Sequence, residues 1–151
     1  MLSRRHSASA AEREIRLAVT GSLPGCLANR EANLTLLILE NLLNNAIQAT
    51  PRGKCVELSA QPDDGQVIFR VSDEGAGLPS HVRERLFSPV RSTKEGGSGI
   101  GLTICRQLAL HIGASLDLES STVNGTVFRV RVPLLQAVSS SPEPARIPTA
   151  G

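Results

Sequence analysis

The sequence predicts an α+β fold, a mostly antiparallel sheet covered by helices on one face. Three observations carry that expectation. Apolar and polar residues alternate in two separate pairs of short segments, as in half-buried hairpins. Two other stretches repeat their apolar residues every three to four positions, as helices do. The elements also lack the regular strand–helix–strand alternation of a parallel sheet.

Taken in order, residues 1–11 are small, polar and unpatterned, and are expected to be a flexible N-terminal segment. Ile15, Leu17 and Val19 alternate with polar or small residues and predict a first strand, which Pro24 and Gly25 end. From Glu31 to Ala49, Leu34, Leu37, Ile38, Leu42 and Ala46 share one helical face, with Asn33 as the expected cap and Pro51 stopping the helix. Val56 and Leu58, then Val67, Phe69 and Val71, flank Pro62-Asp63-Asp64-Gly65 and predict an antiparallel hairpin that runs into Asp73. A short helix is expected from His81 to Leu86, and a second clear helix from Gly99 to His111. Ser115–Glu119 and Thr126–Val132 predict a last hairpin turning at Asn124-Gly125. The folded domain thus spans residues 12–135, and 136–151 (QAVSSSPEPARIPTAG) reads as a disordered Ser/Pro-rich tail.

Composition excludes several roles. A net charge of +2 gives no basic face for nucleic acid, and Phe69, Phe87 and Phe128 are the only aromatic residues, too few for a base-stacking platform. The longest apolar run, Leu36–Leu39, is far short of the roughly 20 residues that span a bilayer. The basic start (Met1, Arg4, Arg5) leads into Ser, Ala and Glu, not into the apolar core of a secretory signal, so a cytoplasmic location is expected. Cys26, Cys55 and Cys105 stand far apart with no partner at metal spacing and read as buried free thiols.

Three clusters break local rules. Asn41, Asn44 and Asn45 interrupt an apolar helix, and Asn costs about half a kcal/mol against Ala in a helix. Asn41 and Asn45 are four apart and share a face, where two amide oxygens suit a hard cation such as Mg²⁺; helix-surface amides are the plainer alternative. At the end of a strand, Asp73-Glu74-Gly75-Ala76-Gly77 places a carboxylate beside a turn that permits close backbone approach; it is an acceptor for an exocyclic amine, or an ordinary Asp-Gly turn. Gly97-Ser98-Gly99-Ile100-Gly101-Leu102 opens a helix, and convergent N–H groups at a helix start favour phosphate, a plain linker being the alternative. Lys94, in the loop before it, adds a cation beside Arg91 and the neutral hydroxyl of Thr93, with a solvated loop charge as the plainer reading of Arg91.

In this order the clusters resemble the ATP-binding fold shared by sensor histidine kinases, type II topoisomerases, the ninety-kilodalton chaperones and mismatch-repair ATPases. The match runs through an N box (Asn41–Ala46), a first glycine box (Asp73–Gly77), an F box (Leu86-Phe87-Ser88-Pro89), a second glycine box (Gly97–Leu102) and a final Gly125-Thr126. It covers about residues 12–134. The resemblance implies a two-layer α/β sandwich, the Bergerat fold, with a mobile ATP lid from Phe87 to Ser98. It implies that ATP is bound by Asn41, Asn45, Asp73, Gly75, Gly77, Lys94, Gly97, Ser98, Gly99, Ile100, Gly101, Leu102 and Thr126. Asn45 would be the main Mg²⁺ ligand with Asn41 beside it, and Asp73 would read the adenine amine.

Members that hydrolyse ATP, and the serine kinases that inhibit sigma factors, resemble one another in a Glu four residues before the metal-binding Asn. Here that residue is Asn41, and Glu40 is rotated about 100° away. The resemblance therefore implies a sensor histidine kinase catalytic domain that phosphorylates a histidine on a separate helical dimerisation domain, with a response regulator downstream, in the cytoplasm or on the cytoplasmic side of a membrane-bound sensor. His6, His81 and His111 lack the surroundings of a phosphoacceptor and are expected to be structural or surface residues. Gln48 stands where many members have a phosphate-reaching Lys, and Val90 where many have a second Phe. The first departure leaves room for a nucleotide-sensing module that transfers nothing; a serine kinase is the weaker alternative.

Overall fold

The expected hairpin forms as β2 (Cys55–Asp63) and β3 (Gln66–Asp73), paired antiparallel from Asp63↔Gln66 to Val56↔Asp73. The turn is tighter than the sequence suggests. Asp64 and Gly65 alone make it, with φ of 35° and 76°, the sense that matches the twist of the flanking strands, so Pro62 and Asp63 belong to the strand. The computed structural model describes residues 2–22, 27, 29–88 and 101–134.

Those residues form one five-stranded sheet in the order β1-β2-β3-β5-β4, with β1 at Arg16–Gly21, β4 at Ser115–Thr122 and β5 at Gly125–Pro133. All neighbours are antiparallel except β1 and β2, which a helical crossover must connect. That crossover is α2 (Asn29–Ala49), which starts two residues before the expected Glu31 and leaves Asn33 exposed inside the helix instead of at its cap.

The core lies between the sheet and the helices. From α2 it takes Ile38, Leu39, Leu42, Leu43, Ala46 and Ile47, and from the sheet Val56, Val67, Phe69, Val71, Leu116, Phe128, Val130 and Val132. Each of the larger side chains contributes about 1.5–3 kcal/mol through removal from water. Helix α4 (Leu102–His111) adds Cys105 and Ala109, and the short α3 (Ser80–Glu84) precedes it. Burial pushes the Cys105 thiol up to about 11, so it stays protonated and serves as a small apolar filler.

The expectation of a flexible segment over residues 1–11 is corrected. Leu2–Glu12 form helix α1, with His6 and Ala10 buried one turn apart. Its composition hides it: Ser and Ala give no apolar stripe, yet alanine lets the backbone come close to its neighbours. The chain after it is tied down as well. Ile15 N–H donates to the Ala10 carbonyl at 2.8 Å, Gly53 N–H to that of Glu14 at 3.0 Å, and the Arg13 guanidinium to that of Ile47 at 3.3 Å. The tail over 136–151 lies outside the described residues, as does Cys26.

The face of the sheet away from the helices carries a charge network. Glu119 accepts from Arg70 Nε at 2.9 Å and from Arg129 at 3.2 Å. The Arg70 hydrogen bond, with the positive charge of both arginines, holds its carboxyl below the usual glutamate range. A lowered folded-state pKa stabilises at pH above the unfolded value, and that contribution is lost as pH falls through the folded one. Glu119→Gln is therefore expected to lose about 1 kcal/mol at neutral pH, with the difference from the native chain closing on acidification, as measured by urea unfolding at several pH values.

Candidate functional site

Asp73 is the last residue of β3 and takes its place in the period-2 pattern that buries Val67, Phe69 and Val71, so its carboxylate points to the helix side of the sheet. It is 8% exposed. Burial raises its pKa against two hydrogen bonds that lower it. Both converge on Oδ1: Gly75 N–H donates at 2.9 Å and Thr126 N–H at 3.3 Å. The carboxylate is thus held by main-chain donors from two elements, and neither bond engages Oδ2. Such an atom, partly desolvated and fixed in direction, is suited to accept from one incoming N–H group.

The expected glycine turn follows. Gly75 is buried, and its backbone lies so close to the Ala49 carbonyl that a Cβ would come within 2.7 Å of it. This contact joins the Asp73 loop to the C-terminal turn of α2, where the Thr50 hydroxyl donates to the Ala46 carbonyl at 2.7 Å. Gly77 has φ +79° and stands against the Thr122 carbonyl at the end of β4. The loop is therefore clasped between α2 and the β4–β5 hairpin.

One turn back on α2, Asn41 is buried and its amide NH₂ donates to the Leu37 carbonyl at 2.8 Å, whereas Asn45 is exposed. Asn44 is half-buried, and Gln48 is exposed. Two amides one turn apart, the outer one open, offer oxygen donors to a cation that takes its remaining ligands from phosphate and water. They fit Mg²⁺ better than a metal needing a closed protein cage, and among the described residues no cluster of three or more His, Cys, Asp or Glu side chains forms such a cage.

The second glycine box is described at Gly101 and Leu102. Gly101 is exposed with extended backbone (φ −80°, ψ 168°) and accepts from Cys105 N–H at 3.1 Å, so α4 begins at Leu102. Lys94, Gly97, Ser98, Gly99 and Ile100 lie outside the described residues, as do most of the expected lid and the end of the F box. The two flanks of that stretch are held together: the Thr103 hydroxyl donates to the Ser88 carbonyl at 2.7 Å, and the Arg106 guanidinium stacks 4.5 Å from the centre of the Phe87 ring.

Of the histidines, His6 is buried in α1, and His81 and His111 are exposed. Sequence reasoning missed two residues of the site. The Thr50 hydroxyl closes the last turn of α2 on the Ala46 carbonyl, and Ser121 Oγ accepts from Leu78 N–H at 2.8 Å and pairs with Thr126 Oγ1 at 3.1 Å. Neither belongs to a motif, and Ser121 lies on the wrong side of the simple alternation.

Comparison with known proteins agrees with this fold. Residues 31–136 match the family described as histidine kinase-, DNA gyrase B-, and HSP90-like ATPase. Sporulation kinase C of Bacillus subtilis (strain 168) is 34% identical over 110 residues, which are 73% of this chain and 26% of that protein. The catalytic domain of histidine kinase ThkA superposes with a TM-score of 0.74 at 26% identity, covering 87% of both chains. Full-length ShkA, solved in complex with AMPPNP, superposes at 0.73 and 30% identity, over 87% of this chain and 28% of that one. The chain therefore spans about a quarter of the length of the curated relative. Among the described residues no helix is long and apolar enough to cross a membrane. The mixed sheet, the buried Asp73 held by the glycine box and the match over residues 31–136 make this chain a member of the histidine kinase-, DNA gyrase B- and HSP90-like ATPase family, an ATP-binding catalytic domain of the sensor histidine kinase kind.

Proposed function

We propose that this domain binds Mg·ATP between α2, the Asp73 loop and the start of α4, and passes the γ-phosphoryl group to a histidine on a separate helical phosphoacceptor domain in the cytoplasm, from which a response regulator takes it. The observation that carries the reading is the buried Asp73 carboxylate, pinned through Oδ1 by Gly75 and Thr126. In this reading Oδ2 accepts from the adenine amine. Asn45, with Asn41 beneath it, holds Mg²⁺, which neutralises phosphate charge, and Lys94 and the Gly97–Leu102 segment hold the phosphates. Asn41 stands where a general base would be needed to activate water, and a neutral imidazole is nucleophilic without one. The chain's residues thus supply position and charge, and the acceptor supplies the nucleophile.

Isothermal titration tests the binding half. Mg·ATP is expected to bind the native chain, and Asn45→Ala to weaken it about tenfold or more, the effect of removing one ligand to a charged group. Absent binding, or undiminished binding by the variant, sinks the reading. The exposed Gln48, where a phosphate-reaching Lys is common, favours a second reading as a nucleotide sensor. Transfer of label from [γ-³²P]ATP to a supplied acceptor domain eliminates it.

A further inference from the structure

The end of β4 does something its sequence conceals. Leu116 and Leu118 face the core opposite Val130 and Phe128, so strict alternation would turn Ser120 inward and Ser121 outward. The register instead slips between Leu118 and Ser120, so that Ser120 pairs with Val127 and Ser121 with Thr126. The extra residue at the slip is Glu119, which the arginine pair holds on the outer face. A bulge of this kind re-aims the side chains that follow it. Here it brings the Ser121 hydroxyl to the helix side, against the Asp73 loop.

Its contacts there are few and pointed. Ser121 Oγ accepts from Leu78 N–H at 2.8 Å and shares a hydrogen bond with Thr126 Oγ1 at 3.1 Å. Thr126, 4% exposed, gives its N–H to Asp73 Oδ1, and Gly75, three residues before Leu78, gives the other. Both donors that orient the carboxylate therefore belong to segments that one hydroxyl joins. We propose that Ser121 is a positioning residue for purine selection: it sets the direction of the Asp73 carboxylate by bracing the glycine loop against Thr126, and so determines how strongly the site prefers a 6-amino over a 6-oxo purine nucleotide. This rests on the reading that Asp73 receives the adenine amine.

The mechanism has a specific signature. A 6-amino group donates to Asp73 and depends on the angle of its carboxylate, whereas a 6-oxo group faces that carboxylate as a second acceptor and gains nothing from its alignment. Loss of the Ser121 hydroxyl leaves Leu78 N–H and Thr126 Oγ1 without this partner and should lower affinity for ATP, leaving affinity for inosine triphosphate (ITP) almost unmoved.

The test uses the full 151-residue chain, titrated with Mg·ATP and Mg·ITP as the native protein, Ser121→Ala, Ser121→Thr and Asp73→Asn. The native chain should prefer ATP, Ser121→Ala should narrow the ATP/ITP ratio about five- to tenfold, and Ser121→Thr, which keeps the hydroxyl, should retain it. An unchanged ratio in Ser121→Ala, or an equal loss for both nucleotides, overturns the proposal, because either outcome means a purely structural role or none. If the native chain does not discriminate, or Asp73→Asn discriminates as the native chain does, the adenine reading itself fails. If Asp73→Asn abolishes the preference and Ser121→Ala keeps it, that reading stands and only the role of Ser121 falls.

Discussion

Asp73→Asn is expected to weaken ATP binding about 10- to 100-fold without lowering the melting temperature of the unliganded domain. Asparagine keeps an Oδ1 that can accept from Gly75 and Thr126 N–H, so the loop has no reason to move. What changes is the other end of the group, where an NH₂ replaces Oδ2 and, in the proposed binding mode, opposes the adenine amine, donor against donor. The stability half follows from burial, the largest influence on this carboxyl, which raises its pKa. An acid whose pKa is raised on folding binds more protons folded than unfolded, so its ionisation opposes folding increasingly as pH rises through that interval and fully above it. The amide escapes this cost. For the same reason, ATP affinity of the native chain should decline on acidification at higher pH than an ordinary aspartate would give, and the Asn variant should show no such step. Titration calorimetry across the acidic range and scanning calorimetry of the unliganded chains measure both halves. Native-like affinity in the variant would remove Asp73 from the adenine site.

Gly125→Ala should unfold the domain about 10 °C earlier. Gly125 opens β5 with φ +143°, and a Cβ built there lies 1.9 Å from the Asp73 carbonyl oxygen. The conformation costs an alanine about 1–3 kcal/mol, and the overlap a similar amount unless β5 separates from β3. That separation would begin at the Asp73↔Thr126 pair, so nucleotide binding should fail together with stability. Gly53→Ala is the matched control. Gly53 has φ +79° but nothing within 4 Å of the added carbon, so it bears the conformational cost alone and should fall by only a few degrees. Equal effects at the two positions would show that crowding against Asp73 contributes nothing.

Much of the candidate site was legible because its residues break local preferences in a recognisable order. Asparagines in an apolar helix, Asp before a glycine turn and glycines ahead of a helix each violate a local preference. Alternation likewise located the β2–β3 hairpin, and three-to-four spacing the long helix, since each pattern reports a buried face directly. The start of α2 was misplaced because Asn33 resembles a cap, whereas two further residues, Asn29 and Arg30, already lie in the helix.

Other features became visible only in three dimensions. Helix α1 has no apolar stripe, and it packs against α2, while Arg13 just beyond its end donates to the Ile47 carbonyl. The parallel pairing of β1 with β2 is a matter of topology, since the strand's own alternation is the same for either direction. Ser121 is the sharpest case: a period of two assigns it to the outer face, and a single register slip beside Glu119 reverses that assignment. By itself, then, the sequence determined the family, the patterned strands and helices, and which residues break local preferences. The tertiary structure alone decided that Asp73 is buried and doubly held, and which hydroxyl braces it, because burial, register and the meeting of separate backbones are properties of pairs of segments and leave no periodic trace in either one.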